Sequence, residues 1–178
     1  MSKLGAYLFL LAAAGVVGAC AGNQTSQTNE PAASQAQPQQ GPADTLGSAC
    51  DKGDGASCVK LAIMFKDGAG VAKDPERSAA LFSRACDAAV AEGCFYAGAQ
   101  NLMGQGVAKD PARGVLQLTV GCKGGNADAC FLMATIAEGL IQVTDASGSP
   151  LVPKSQAKTF FKLACDAGNT EACNRLKD

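Results

Sequence analysis

A chain of 178 residues with no histidine and no tryptophan lacks the side chain most used for acid–base work and for metal ligation. Its formal net charge of −1 and pI near 5.4, with lysines scattered along the chain, provide no basic stripe for nucleic acid. These features exclude a nucleic-acid partner and point to no metal and no cofactor.

Residues 1–19 read as an export signal: Lys3 as a thin positive start, an apolar run from Leu4 to Val17, then Gly18 and Ala19. The run is too short for a membrane span, which needs about 20 residues. Val17-Gly18-Ala19-Cys20 resembles the bacterial lipobox. That resemblance implies cleavage before Cys20, lipidation of its thiol and a membrane anchor. The alternative is a secretory peptide cut near Ala19 that leaves Cys20 free. Ala21, not Asp, at the second mature position favours the outer membrane by resemblance to lipoprotein sorting. The expected location is therefore the bacterial cell envelope, facing the periplasm or the cell surface. Residues 22–41 contain no large apolar side chain, so residues 20–41 are expected to form a lipidated cysteine and a disordered tether. Such a coil reaches roughly 25 Å. One globular domain, residues 42–178, follows.

In that domain the other eight cysteines form four pairs of one spacing: Cys50 and Cys58, Cys86 and Cys94, Cys122 and Cys130, Cys165 and Cys173. Pairs begin at 50, 86, 122 and 165, a period of 36 residues twice and then 43. A fixed period of this size marks a repeat array. An even count beside an export signal predicts one disulfide per repeat; free thiols in a cytosolic protein are the alternative.

Each unit predicts two helices. After the second cysteine, Cys58, Leu61, Ala62 and Phe65 fall on one helical face, and Gly68 and Gly70 end the helix. Asp74-Pro75 opens the next, with Ala79, Leu81, Phe82 and Ala85 as its buried face. The second unit repeats this punctuation at Gly104, Gly106 and Asp110-Pro111. The third inserts residues 140–153 instead, with Leu140 to Thr144 as the only strand candidate. Residues 43–51 form a leading half-repeat, and a polar tail closes the last helix. The expected fold is an all-α solenoid of about three to four antiparallel helix pairs.

The alanine-cysteine steps (Ala85-Cys86, Ala164-Cys165), the cysteine opening each following helix and the turns from Gly70 to Asp74 and Gly106 to Asp110 resemble the Sel1-like repeats. Those are relatives of tetratricopeptide repeats, and the cysteine-rich Helicobacter type is the more similar. The resemblance covers about Ala49 to the C-terminus. It implies a scaffold of stacked helix pairs. Because members are often labelled penicillin-binding or β-lactam-hydrolysing, a β-lactam-binding protein or β-lactamase-type hydrolase becomes the second reading. Such an enzyme needs Ser-x-x-Lys. Ser57–Lys60 and Ser155–Lys158 match by spacing, but the companion Ser-Asp-Asn and Lys-Thr-Gly motifs are missing. No catalytic residue is assigned.

The favoured reading is a non-catalytic interaction scaffold, monomeric, holding a protein or peptidoglycan partner. Solenoids bind on the face made by the first helix of each repeat. Lys60, Ile63, Tyr96, Gln100, Leu132 and Thr135 lie there, off the core stripe, and are the candidate binding residues. The insertion at 140–153 is a second candidate surface, or a tolerated loop.

Overall fold

A computed structural model describes residues 41–177. The signal segment, Cys20 and the tether up to residue 40 lie outside the described residues, so those expectations are not addressed by it. Eight helices follow in order: α1 (Pro42–Asp51), α2 (Gly55–Asp67), α3 (Pro75–Asp87), α4 (Ala91–Met103), α5 (Pro111–Lys123), α6 (Ala127–Glu138), α7 (Ala157–Asp166) and α8 (Thr170–Arg175). A single 3-10 turn, Lys154–Gln156, leads into α7. Each helix packs against its neighbours in sequence, and α2 also touches α4 as α4 touches α6.

The cysteine-bearing turns share one hydrogen-bond pattern. After α1, the N–H of Asp54 donates to Ala49 O at 3.1 Å and that of Gly53 to Cys50 O at 2.9 Å. The same two bonds recur as Val90 to Ala85 and Ala89 to Cys86, Asn126 to Gly121 and Gly125 to Cys122, and Asn169 to Ala164 and Gly168 to Cys165. This is the Schellman ending, which needs one residue in the left-handed region. Gly53, Gly125 and Gly168 supply it at φ 94°, 85° and 98°; the second repeat uses Ala89 at φ 58°. The next residue then caps the following helix. Asp54 accepts from the N–H of Ala56 and Ser57, Asn126 from Ala129 and Asn169 from Ala172, whereas Val90 has no side-chain acceptor. Disulfides Cys50–Cys58, Cys86–Cys94, Cys122–Cys130 and Cys165–Cys173 span these turns, with Cα separations of 4.3 to 4.7 Å.

Two clusters make the core. The first joins Cys50, Cys58, Val59, Ala62, Phe82, Ala85 and Ala97; the second runs from Leu118 through Met133 and Ile136 to Phe161 and Ala164. On α3 the buried face includes Ala79, Phe82 and Ala85 as expected, but Ser78 is fully buried while Leu81 is only partly covered. Where α4 crosses α5, Gly98 and Gly114 face each other: a Cβ on either would stand 2.9 Å from the other's carbonyl oxygen. Such small residues bring the two backbones together and lock that repeat interface.

The insertion forms a hairpin. Thr144 and Pro150 make an isolated antiparallel bridge, and the N–H of Leu151 donates to Val143 O at 2.9 Å. Val143 and Val152 are 8% and 3% exposed, built into the second core cluster.

Candidate functional site

Helices α2, α4 and α6 stand side by side and carry the residues two positions after each second cysteine: Lys60, Tyr96 and Leu132. Lys60 is exposed. Tyr96 stacks on Phe82 at 4.5 Å between centroids and carries the Lys66 ammonium 5.8 Å from its ring. Ile63 and Tyr96 are half-buried against the first core cluster, and Leu132 against the second. This arrangement offers a cation, an aromatic edge and an aliphatic surface on one row of helices.

Two candidates sit deeper than the row. Thr135 is 9% exposed, and its hydroxyl donates to Leu132 O at 2.8 Å, so it serves its own helix. Gln100 is 7% exposed and lines a separate cavity of about 390 Å³ between α3, α4 and the turn into α5. Its Oε1 has no hydrogen-bond partner. The neighbouring Asn101, which sequence reasoning did not single out, donates from Nδ2 to Ala97 O at 2.9 Å and to Gln117 Oε1 at 2.8 Å. A buried amide pair of this kind ties α4 to α5. An Asn and a Gln 16 residues apart, both on otherwise apolar helix faces, were the only signal.

The two Ser-x-x-Lys matches lie on different elements, one on α2 and the other across the 3-10 turn and the start of α7. The Ser57 hydroxyl donates to Asp54 Oδ2 at 2.6 Å as part of the α2 cap. That hydrogen bond is the main reason the Asp54 carboxyl is held below its usual range. Ser57 is therefore committed to a carboxylate, not to an amine that could deprotonate it. Ser155 is exposed in the 3-10 turn and lines, with Lys154, Lys158 and Arg175, a cavity of about 320 Å³. Within the hairpin, Asp145 Oδ1 accepts from the Ser147 hydroxyl at 2.6 Å and from the N–H groups of Ser147 and Ser149. The Ser147 hydroxyl is the first cause of its lowered carboxyl pKa. Among the described residues no three Cys, Asp or Glu are grouped to hold a metal, and no helix is long and apolar enough to cross a membrane.

A family model described as Sel1 repeat matches residues 55–90, 91–116 and 146–169. No curated protein sequence matches the chain. Among solved structures, a Sel1 repeat protein from Oxalobacter formigenes superposes with a TM-score of 0.63 at 22% identity, covering 75% of this chain and 96% of that one. A protective antigen present in uropathogenic Escherichia coli strains, displaying an SLR fold, gives 0.65 at 21% identity. That match covers 75% of this chain but 27% of the antigen. Cysteine-rich protein B of Helicobacter pylori gives a TM-score of 0.49 at 30% identity, over 51% of this chain and 68% of that one.

Proposed function

The chain is a Sel1-repeat protein, and from that premise we propose that it is a non-catalytic interaction scaffold whose docking face is the row formed by α2, α4 and α6. The observation that carries this is the contact of α2 with α4 and of α4 with α6, which makes one continuous surface from corresponding residues of successive repeats. Repeat proteins bind along such surfaces because each unit adds the same helix in the same orientation. The partner is a protein, or a peptide-bearing cell-wall fragment. The lipobox-like stretch ending at Cys20 supports anchoring of the scaffold to the envelope through two acyl chains, since one chain alone binds a membrane only marginally.

Site-specific photo-cross-linking tests the docking face. A benzophenone amino acid placed at Lys60 or Leu132, in cells of the native host, is expected to give discrete adducts. The same probe at Leu116 on α5, which is 68% exposed, should give none. Adducts from Leu116 but not from the α2–α6 row would refute the assignment. Mass spectrometry of the mature N-terminus checks the anchor: an unlipidated terminus overturns it.

A further inference from the structure

The hairpin at 140–153 does more than close a turn. Between it and the end of α6 lies a cavity of about 280 Å³ walled by Ile136, Ile141, Val143 and Val152. Beside it is the 320 Å³ cavity of Lys154, Lys158 and Arg175, floored by the buried Phe161. The two share Glu138 and Lys154 in their walls, so they are adjoining halves of one concavity. One half is aliphatic and the other is rich in hydrogen-bond donors.

Among the described residues the charges of the second half do not cancel. Glu138 is the only carboxylate among the described residues of its lining, and it is already held by Arg175 at 3.0 Å, which also reaches Glu171. Lys154 and Lys158 make no ion pair among the described residues. The corresponding place in the earlier repeats mixes both signs, an aspartate beside a lysine and an arginine (Lys73, Asp74, Arg77; Lys109, Asp110, Arg113). There Asp74 and Asp110 cap α3 and α5, whereas Pro153 stands at the equivalent position, 12 residues before its cysteine, and lysine follows. The third repeat thus lacks the capping carboxylate, places Lys154 and Lys158 there with no ion pair among the described residues, and adds an apolar wall next to them.

We propose that this concavity binds the C-terminus of a peptide partner that ends in an aliphatic residue. A peptide C-terminus carries its carboxylate and its last side chain on the same carbon, so it presents an anion and an apolar group side by side. Lys154, Lys158 and the Ser155 hydroxyl are the donors for the carboxylate, and charge-assisted hydrogen bonds to it are the stronger kind. The hairpin cavity takes the side chain. Isolated inorganic anions match only one half, and neutral apolar ligands only the other. The inference rests on the interaction-scaffold reading but not on the α2–α6 row, and adds a terminus-specific site to it.

The test uses the oxidised, soluble domain with its four disulfides and a fluorescein-labelled hexapeptide of Ala and Ser ending in Leu. Fluorescence anisotropy compares the free acid, its C-terminal amide and a version ending in Gly. The free acid should bind about tenfold more tightly than either, which is the range of a charged hydrogen-bonded contact or of one filled apolar pocket. Lys154→Gln with Lys158→Gln should remove most of the difference between acid and amide, and Ile141→Ser most of that between Leu and Gly. Equal binding of acid and amide, or no binding of the acid, overturns the proposal. Amide-proton shift mapping on the unsubstituted domain must place the perturbed residues at 136–158; perturbation along α2 and α4 instead sinks this site and leaves the scaffold reading standing. Sodium octanoate displacing the peptide at equal concentration would assign the site to a free amphiphilic carboxylate, and would likewise overturn it.

Discussion

Replacing Gly98 by alanine should destabilise the domain, although alanine is the better helix former by about 1 kcal/mol. A Cβ at Gly98 would lie 2.7 Å from Leu118 Cγ and 2.9 Å from the carbonyl oxygen of Gly114. Carbon–carbon contacts are comfortable at about 3.5–4.0 Å, so α4 and α5 would have to separate by roughly 1 Å. Leu118 is fully buried and has nowhere to retreat. Overpacking of this kind costs about 1–3 kcal/mol, occasionally more, and the propensity gain offsets only part of it. A net loss of up to about 2 kcal/mol is expected, which at about 2 kcal/mol/M lowers the urea midpoint by up to about 1 M. Gly47→Ala is the matched control. It also sits inside a helix, but its added Cβ would meet only Leu61 Cδ2 at an ordinary 3.8 Å, so it should raise the midpoint. Both variants are unfolded with the disulfides intact and followed by circular dichroism. If Gly98→Ala raised the midpoint as much as Gly47→Ala, the close α4–α5 crossing would be wrong.

Three other outcomes follow from the turns. Removing one staple by the pair Cys122→Ala and Cys130→Ala should cost about 2.5 kcal/mol, the chain-entropy value for so short a loop, read as a lowered midpoint under non-reducing conditions. Ala89→Gly should stabilise by about 0.5–1 kcal/mol: it relieves a left-handed alanine worth roughly 1–2 kcal/mol, less the entropy a glycine adds to the unfolded chain. A lowered melting temperature for that variant would contradict the Schellman geometry. Asp54 has a folded pKa below its unfolded value, so its contribution is present above about pH 4 and lost as pH falls through the folded pKa. Asp54→Asn should therefore close the stability gap to the unsubstituted domain as pH drops from 6 to 2, and a gap independent of pH would reject the cap as its source.

What could be read before the fold was known depended on whether a residue acts within its own turn. The cysteine period, the glycines that end α2 and α4, and the Asp-Pro starts of α3 and α5 are local signals. Each names a backbone conformation that a few neighbouring residues dictate, and the structure has all of them. The binding candidates were harder because their exposure depends on how far one repeat is rotated on the next. Gln100 and Lys60 both lie off the core stripe of an isolated helix, yet only Lys60 stays in solvent once α3 and the α4–α5 turn close over Gln100. On α3 the same dependence buries Ser78 fully and leaves Leu81 only partly covered. The hairpin was ambiguous because its anchoring valines are eight residues short of adjacent in sequence, separated by Asp, Ser, Gly and Pro that look like any exposed loop.

The division of labour between the two kinds of turn bears on where a repeat array can acquire a new partner. The turn inside each cysteine pair is held by two backbone hydrogen bonds, a left-handed residue and a disulfide, and a change there would disturb all three at once. The turn between the helices of one repeat has backbone hydrogen bonds, left-handed glycines and an aspartate cap of its own, but no disulfide spans it. Loop closure grows only slowly with length, each doubling costing about 0.6 kcal/mol, so this turn can be lengthened cheaply. In the third repeat it has been, and Val143 and Val152 recover part of that cost by entering the core. Val143 and Val152, one on each arm, thus anchor the hairpin to the second core cluster, with Ile141 and Lys154 two residues outside these anchors. An added surface that is rigid at both ends loses little entropy on binding, and this is the physical reason to look for the partner's terminus here as well as along the helices.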